Sequence, residues 1–445
     1  MAIGKLAIAA CLALIPFQAI ADAAQPDPLN PNDLPTVGCF WTGAFTASNP
    51  KTNLAYPGTE IAYWGAKFKT PPGAVLKLEG RFPHARYSSF NAYEGSGTSA
   101  SSLSDRSIRP DPGSINPSRP GKNRKTGKRS YTVSVLGQAE PQKPARNTLY
   151  AEPLSGTFQD ILYRVYVPDR GRDLSGGSGL PKPSLKLADG RVLTGEALCS
   201  ELSSSHNYVP TLMPTGFYSA LVNTPGKDPA TNPAMPDFGF SKFFNLPNVI
   251  ARFKSEEQQQ AAWAANPEQV GIQYNNNDAR YMTGAYSFSY GDVLAIHGRS
   301  PSTPRTLNGQ KRASTAQLVE WDLCGIQALT TTKTYRCLFD AQIPVRGKKR
   351  KYVVAFTKAE SRPKNARRAC GVAWLEADPE GDGTGRLDAG SLLTRNVLPS
   401  AGFSKSIWDV TSPFSAREEM GGYYPRGTYM SKKSFQSHGC PFSWK

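Results

Sequence analysis

Tyr63–Pro83 reads YWGAKFKTPPGAVLKLEGRFP, and Tyr281–Pro301 reads YMTGAYSFSYGDVLAIHGRSP. The two stretches align without a gap. Tyr63, Gly73, Val75, Leu76, Gly80, Arg81 and Pro83 meet Tyr281, Gly291, Val293, Leu294, Gly298, Arg299 and Pro301. A fixed offset held through two strand-like runs and the turn between them marks a duplication. The correspondence extends outward. Leu318–Cys324 stands where Arg86–Tyr93 stands after the first stretch, and Lys351-Tyr352-Val353-Val354 where Ser130-Tyr131-Thr132-Val133 stands.

The chain is therefore expected to be mainly β, with two tandem jelly-roll-like β-sandwich modules at 55–198 and 271–405. A leader at 22–54 precedes them, a short, partly helical connector at 199–270 joins them, and a tail at 406–445 follows. Composition agrees with many short strands and long loops: the 445 residues include 40 Gly and 37 Pro, and no long stretch has helical apolar periodicity. The 7 Trp, 19 Tyr and 20 Phe need a core, which argues against disorder. One helix is signalled clearly. Ser255-Glu256-Glu257-Gln258 is a capping-box pattern, and the helix it opens should run through Ala265 and stop at Asn266-Pro267.

Residues 1–21 read as a signal peptide. Lys5 supplies the positive end, Leu6–Ile20 the apolar run, and Ala19-Ile20-Ala21 the small residues at the cleavage position. No later run approaches a membrane span, so a secreted or periplasmic protein without a transmembrane segment is expected. That compartment permits disulfides. Six cysteines remain after the signal: Cys39, Cys199, Cys324, Cys337, Cys370 and Cys440. Count alone leaves connectivity open. Spacing favours Cys324–Cys337 across a short hairpin. Joining Cys39 to Cys199 would clasp the first repeat, which leaves Cys370 with Cys440. No CxxC pair exists and the four His are scattered, so neither a metal site nor a cofactor is expected.

The net charge is +17. It is concentrated in Arg119, Lys122, Arg124, Lys125, Lys128 and Arg129, in Arg346, Lys348, Lys349, Arg350 and Lys351, and in Arg362–Arg368. The first two runs precede the same strand of the repeat, so they should be equivalent hairpin loops. Such charge attracts an anionic surface polymer or polysaccharide. No aromatics interleave the runs, so specific nucleic-acid recognition is not expected.

Catalytic signatures such as HExxH and GxSxG are absent. Asp378, Glu380, Asp382 and Gly383 imitate the start of a calcium loop, but Ala389 at the twelfth position cannot chelate, so a turn with exposed acids is expected. The most polar loops lie in the first repeat: Asp105, Arg106, Arg109 and Asp111 in one, Asp169, Arg170, Arg172 and Asp173 in the other. Converging, they could pair carboxylates for acid–base work; otherwise the Asp and Arg side chains anchor the loops. Two function classes follow. One is a non-catalytic binding or structural protein that engages an anionic or carbohydrate polymer through Lys122, Arg124, Lys125, Lys348, Lys349 and Arg350. The other is an extracellular enzyme acting on a polysaccharide or another polymer through the Asp/Arg loops.

The segments RYSSFNAYE at 86–94, SLSDRSIRPDPGSINP at 102–117, VPDRGRDLSGGSGLP at 167–181, the W-x-L-C run at Trp321 and GYYPRGTYM at 422–430 carry a resemblance. Together they are similar to a group of uncharacterised secreted bacterial proteins whose modules resemble jelly-roll domains of unknown function in envelope proteins. The resemblance spans roughly residues 55–435. It implies a β-jelly-roll fold and no reaction. The chain departs from that pattern at Val319-Glu320, where an Arg-Tyr pair is usual, and at Met430, where a Cys is common. The second departure supports a private Cys370–Cys440 bond.

Overall fold

The computed structural model describes residues 36–94, 97–153, 158–205, 212–270 and 274–444. The signal peptide expected at 1–21 and the leader up to residue 35 lie outside them. The strands are β1 (Thr36–Val37), β2 (Trp41–Thr42), β3 (Ile61–Phe68), β4 (Val75–Arg81), β5 (Ala85–Tyr93), β6 (Ser99–Ser104), β7 (Ser130–Leu136), β8 (Thr148–Tyr150), β9 (Gln159–Pro168), β10 (Lys182–Lys186) and β11 (Val192–Leu193). Helices α1 (Gly195–Glu201) and α2 (Thr215–Val222), strand β12 (Ser241–Lys242), and helices α3 (Leu246–Ala251) and α4 (Glu256–Ala265) follow. The second series is β13 (Ala279–Ser287), β14 (Val293–Arg299), β15 (Leu318–Ile326), β16 (Thr334–Phe339), β17 (Lys351–Thr357), β18 (Ala373–Glu376) and β19 (Ala389–Pro399). Then come α5 (Ala416–Met420), β20 (Arg426–Met430) and α6 (Lys432–Ser437).

The protein is mainly β, and its strand order occurs twice. One sheet reads β3-β9-β5-β6 and recurs as β13-β19-β15-β16; its partner reads β10-β4-β7-β8 and recurs as β20-β14-β17-β18. β7 and β8 run parallel, as do β17 and β18, whereas the other pairings are antiparallel. Each unit thus carries the same parallel exception, which a strictly antiparallel jelly roll lacks. The segment expected as a tail supplies β20 to the second unit's sheet, beside β14.

The repeated glycines have a steric cause. Gly80 faces Tyr131 across the β4–β7 ladder, and a Cβ there would lie 2.6 Å from the Tyr131 ring. Gly298 faces Tyr352 in the second unit, and its Cβ would lie 3.3 Å from that ring. In both copies the tyrosine ring lies over a residue that must lack a side chain. Gly73, in the turn between β3 and β4, has a φ of +72°, which glycine adopts without strain.

In each unit the two sheets face each other across an apolar core. Trp64, Phe68, Phe90 and Tyr163 of one sheet meet Leu76, Leu78, Val133 and Val135 of the other. Met282, Trp321, Leu323 and Leu392 meet Leu294, Ile296, Val354 and Phe356 in the second unit. The units then pack back to back through the other faces of β3-β9-β5-β6 and β13-β19-β15-β16. Tyr63, Tyr87, Tyr93 and Tyr166 lie against Ala279, Val319, Phe339 and Val397. This gives four sheet layers. The inner strands β5 and β15 are buried along their whole length, while the outer strand β7 alternates. A sheet covered on both faces reads as continuous burial, and a sheet covered on one face alternates.

The outer sheet of the second unit is an exception. β17 is buried almost throughout, because Phe435 and Phe442 of the C-terminal segment cover Val293, Ala295, Val353 and Ala355. Disulfide Cys370–Cys440 pins that cover. Cys39–Cys199 ties the β1–β2 ribbon to α1, and Cys324–Cys337 bridges directly opposed residues of β15 and β16. α4 opens with the capping box of Ser255 and Gln258, and ends at Ala265. Among the described residues no helix is long and apolar enough to cross a membrane.

Candidate anion-binding edge

The two basic runs occupy equivalent places, before β7 and before β17, and they sort their side chains alike. In the first, the arginines turn inward. Arg119 donates to the carbonyls of Arg106, Ser107 and Ile108. Arg124 forms a 2.8 Å ion pair with Asp169 and donates to the carbonyls of Ala85 and Gln310. Arg129 is buried. In the second, Arg346 donates to the carbonyls of Phe442 and Cys370, and Arg350 to those of Ser300 and Pro301. Lys122, Lys125, Lys128, Lys348, Lys349 and Lys351 remain exposed. The planar guanidinium makes several directed bonds to carbonyls, whereas a lysine ammonium is strongly hydrated and keeps to water.

The two loops are linked by residues 301–313 of the second unit. The amides of Gly121 and Arg124 donate to the carbonyls of Ala313 and Lys311, the amide of Ala313 donates to Lys122, and Arg312 Nη1 donates to Gly121. The same segment carries Arg305, whose charge helps depress the pKa of Arg350 behind the dominant effect of burial. Arg305, Lys311 and Arg312, on this segment that touches both loops, are exposed as well. None of these nine exposed cations is in an ion pair among the described residues. Like charges this close reinforce one another's field.

Beneath the first loop the charge is dense. Burial lowers the Arg129 guanidinium to about 10, and the charges of Arg124 and Arg81 add to the shift. Two of its nitrogens, Nε and Nη1, are buried without a partner among the described residues. His84 is pushed down to about 4, first by burial and then by Arg129 and Arg172, so it is neutral at pH 7.

The candidate acids do not meet as a pair. Asp105 is buried, accepts from the Ser88 amide and the Ser118 hydroxyl, and rises to about 6 through burial. Its carbonyl and that of Ile108 accept from Asn116, so it anchors its loop. Asp111 binds the β7 entrance through backbone, its amide donating to Ser130. Asp169 pairs with Arg124, and Asp173 accepts from Ser175 and the Gly177 amide. Arg106 is half-buried, and Arg109, Arg170 and Arg172 are exposed. Among the described residues no hydrogen bond or ion pair joins Asp105 or Asp111 to Asp169 or Asp173. Each of the two loops is tied to the basic loop, one through Arg119 and the other through Arg124.

The calcium-like loop corrects an expectation. Asp378 and Asp382 are buried. Gln327 Nε2 donates to Asp378 and Glu380, while Asp382 accepts from Tyr218 and from the Thr384 amide and hydroxyl. The acids serve as acceptors for loop donors that would otherwise be buried unpaired. The carboxylate of Asp322 lies near Cys324 and Cys337, but both sulfurs are committed to a disulfide. Sequence reasoning missed the groups that most distort the electrostatics. Buried Glu320, Asp322 and Asp340 lie beside Arg395 and Arg86 between the units, with Arg86 paired to Asp340 and Arg395 to Asp322. The signal was present in Val319-Glu320, where the resemblance leads one to expect Arg-Tyr.

No protein-family model matches this chain, and neither does any curated protein sequence. Among solved structures, it is similar to a putative uncharacterized protein from Burkholderia cenocepacia, at 11% identity and a TM-score of 0.47, over 90% of this chain and 84% of that one. It is also similar to the VPA0106 protein from Vibrio parahaemolyticus, at 9% identity and a TM-score of 0.37, over 85% of this chain and 92% of that one.

Proposed function

We infer that the protein is a secreted or periplasmic binding protein, built from two tandem jelly-roll-like sandwich modules, that engages an anionic polymer along the edge shared by its basic loops. The observation that carries this reading is the common sorting of both loops. Arginines are used as internal braces, and Lys122, Lys125, Lys128, Lys348 and Lys349 are left facing solvent with no ion pair among the described residues. Three disulfides are compatible with an oxidising compartment. A polymer that lies along an edge needs repeated charge more than an enclosed pocket. The alternative, an enzyme built on the Asp/Arg loops, draws less support because each of Asp105, Asp169 and Asp173 is engaged within its own loop or with Arg124.

The test is a variant with Lys122, Lys125, Lys128, Lys348 and Lys349 changed to Gln. Arg124 and Arg350 are left intact because they brace the loops. Parent protein is expected to be retained on a heparin column and released steeply with salt, since the Debye length falls from about 10 Å at 0.1 M to about 3 Å at 1 M. The variant should elute at much lower salt with an unchanged unfolding temperature. Equal elution of the two proteins would refute the reading.

A further inference from the structure

The outer face of the sheet β20-β14-β17-β18 changes character along its length. At one end Val293, Ala295, Val353 and Ala355 are buried under Phe435 and Phe442. Asn365 holds this cover by donating to the carbonyls of Phe435 and Gly439. Two residues further along β14 from Ala295, on the same face, stands His297. It is directly opposite Arg426 on β20 and Val353 on β17, and the next outward pair is Arg299 and Lys351. The apolar cover therefore ends where the sheet turns cationic.

Trp444 sits at that boundary. Its ring centroid is 4.6 Å from His297, 5.2 Å from His438 and 5.3 Å from Phe442. Three rings thus fix the indole, yet the residue is 39% exposed. Arg346 Nη1 donates to the Phe442 carbonyl, 2.6 Å away, which attaches the second basic loop to the same segment. Arg426 and Lys351 are exposed beside it. The basic runs contain no aromatic residue, and the tertiary structure brings one to them.

We propose that Trp444, braced by His297 and flanked by Arg426 and Lys351, is a subsite for one sugar ring of an acidic polysaccharide. This rests on the reading of the basic edge and adds the class of polymer. A pyranose ring has an apolar C–H face that can lie on an indole, and its carboxylate reaches outward to a cation. A fixed aromatic with few rotors binds at low entropic cost, and the carboxylate makes charge-assisted bonds. His297 is held below its usual pKa by burial, then by Arg426 and Lys351. At neutral pH it adds no further positive charge and offers a polar edge to a hydroxyl. Single-stranded nucleic acid is the less suitable occupant, because successive bases stack on successive aromatics. Here a single indole is presented, and the rings around it serve as its support.

The experiment compares the full-length parent, Trp444→Ala and the five-lysine variant. The probes are polygalacturonate oligosaccharides, polyphosphate and oligo(dT), each measured by titration at fixed salt. Trp444→Ala is expected to lose about tenfold in affinity for polygalacturonate, with Trp444→Phe retaining most of it and polyphosphate affinity unchanged. The five-lysine variant should lose affinity for all three probes. If Trp444→Ala binds polygalacturonate within twofold of parent while polyphosphate still binds, the subsite is refuted and the basic edge stands. A loss confined to oligo(dT) would make nucleic acid the occupant and overturn the sugar assignment. If the parent binds none of the three, both readings fall. An unchanged unfolding temperature in Trp444→Ala separates a binding loss from a loosened cover.

Discussion

At the scale of single residues, the duplication provides an internal comparison. Arg129 and Arg350 hold the same place before equivalent strands, yet Arg350 donates to Ser300 and Pro301 whereas Arg129 leaves Nε and Nη1 unpaired in a buried site. The like charges of Arg124, Arg81 and Arg172 add to the cost. A buried cation with incomplete bonding is often replaced by an apolar group at no loss. Arg129→Met is therefore expected to leave the urea midpoint unchanged or to raise it. Arg350→Met, which removes made bonds, should lower stability by about 1–2 kcal/mol. Glu320 is a second such case. It is buried with both carboxylate oxygens unpaired, and burial, reinforced by Asp322, holds its pKa well above the carboxylate range.

At the scale of elements, the glycine–tyrosine crossings explain why the two halves keep the same short signature. Tyr131 lies where the Gly80 side chain would be. Gly80→Ala must displace a ring packed against Phe82 and Phe90, an overpacking expected to cost about 1–3 kcal/mol in chemical denaturation. The C-terminal segment behaves as an added layer. Changing both Cys370 and Cys440 to Ser removes the link across 70 residues and should cost about 2–4 kcal/mol. It should also raise binding of a hydrophobic dye as Val293, Val353 and their neighbours are uncovered. A double variant as stable as the parent would mean that Phe435 and Phe442 hold the segment without the bond.

At the scale of the whole molecule, folding takes several acids out of water, Asp105 within the first unit and Glu320 and Asp322 between the units, and this sets the response to pH. Asp105, Asp160 and Asp322 are raised to about 6, in each case first by burial, and burial and then Asp322 raise Glu320 as well. Between the ordinary carboxyl range and these values the unfolded chain has released protons that the folded chain keeps. Unfolding is therefore favoured as pH rises, by about 1.4 kcal/mol per pH unit for each such group. The half-buried histidines oppose this. His84, lowered to about 4, stays neutral when folded and takes up a proton when unfolded below about pH 6.5, and His297 is shifted in the same direction by burial. Four carboxyls outweigh two imidazoles, so the unfolding temperature should be higher at pH 5 than at pH 7.5. Glu320→Gln should reduce that difference by stabilising the protein on the alkaline side, and an unaltered pH profile in this variant would show that Glu320 does not titrate as its burial implies.

Local pattern by itself determined the β class, the repeated strand series, the position of α4 and the hairpin on which Cys324 faces Cys337. Each of these depends on residues close in sequence: alternation in β7, the capping box at Ser255, and a turn at Gly73. Part of the candidate edge was legible for the same reason, since runs rich in lysine face water wherever they lie. What the runs could not disclose is which cations stay free. Arg124 and Arg350 turn inward because Asp169, Ser300 and Pro301 wait there, and those partners are brought near only by folding. The back-to-back stacking of the inner sheets was likewise hidden, because a strand covered on both faces loses the alternation that reveals a face. Trp444 beside His297, 147 positions apart in the sequence, and the burial of Glu320 between two ion pairs were decided by tertiary structure alone. The first needs the C-terminal segment folded back onto β14, and the second needs the two units stacked.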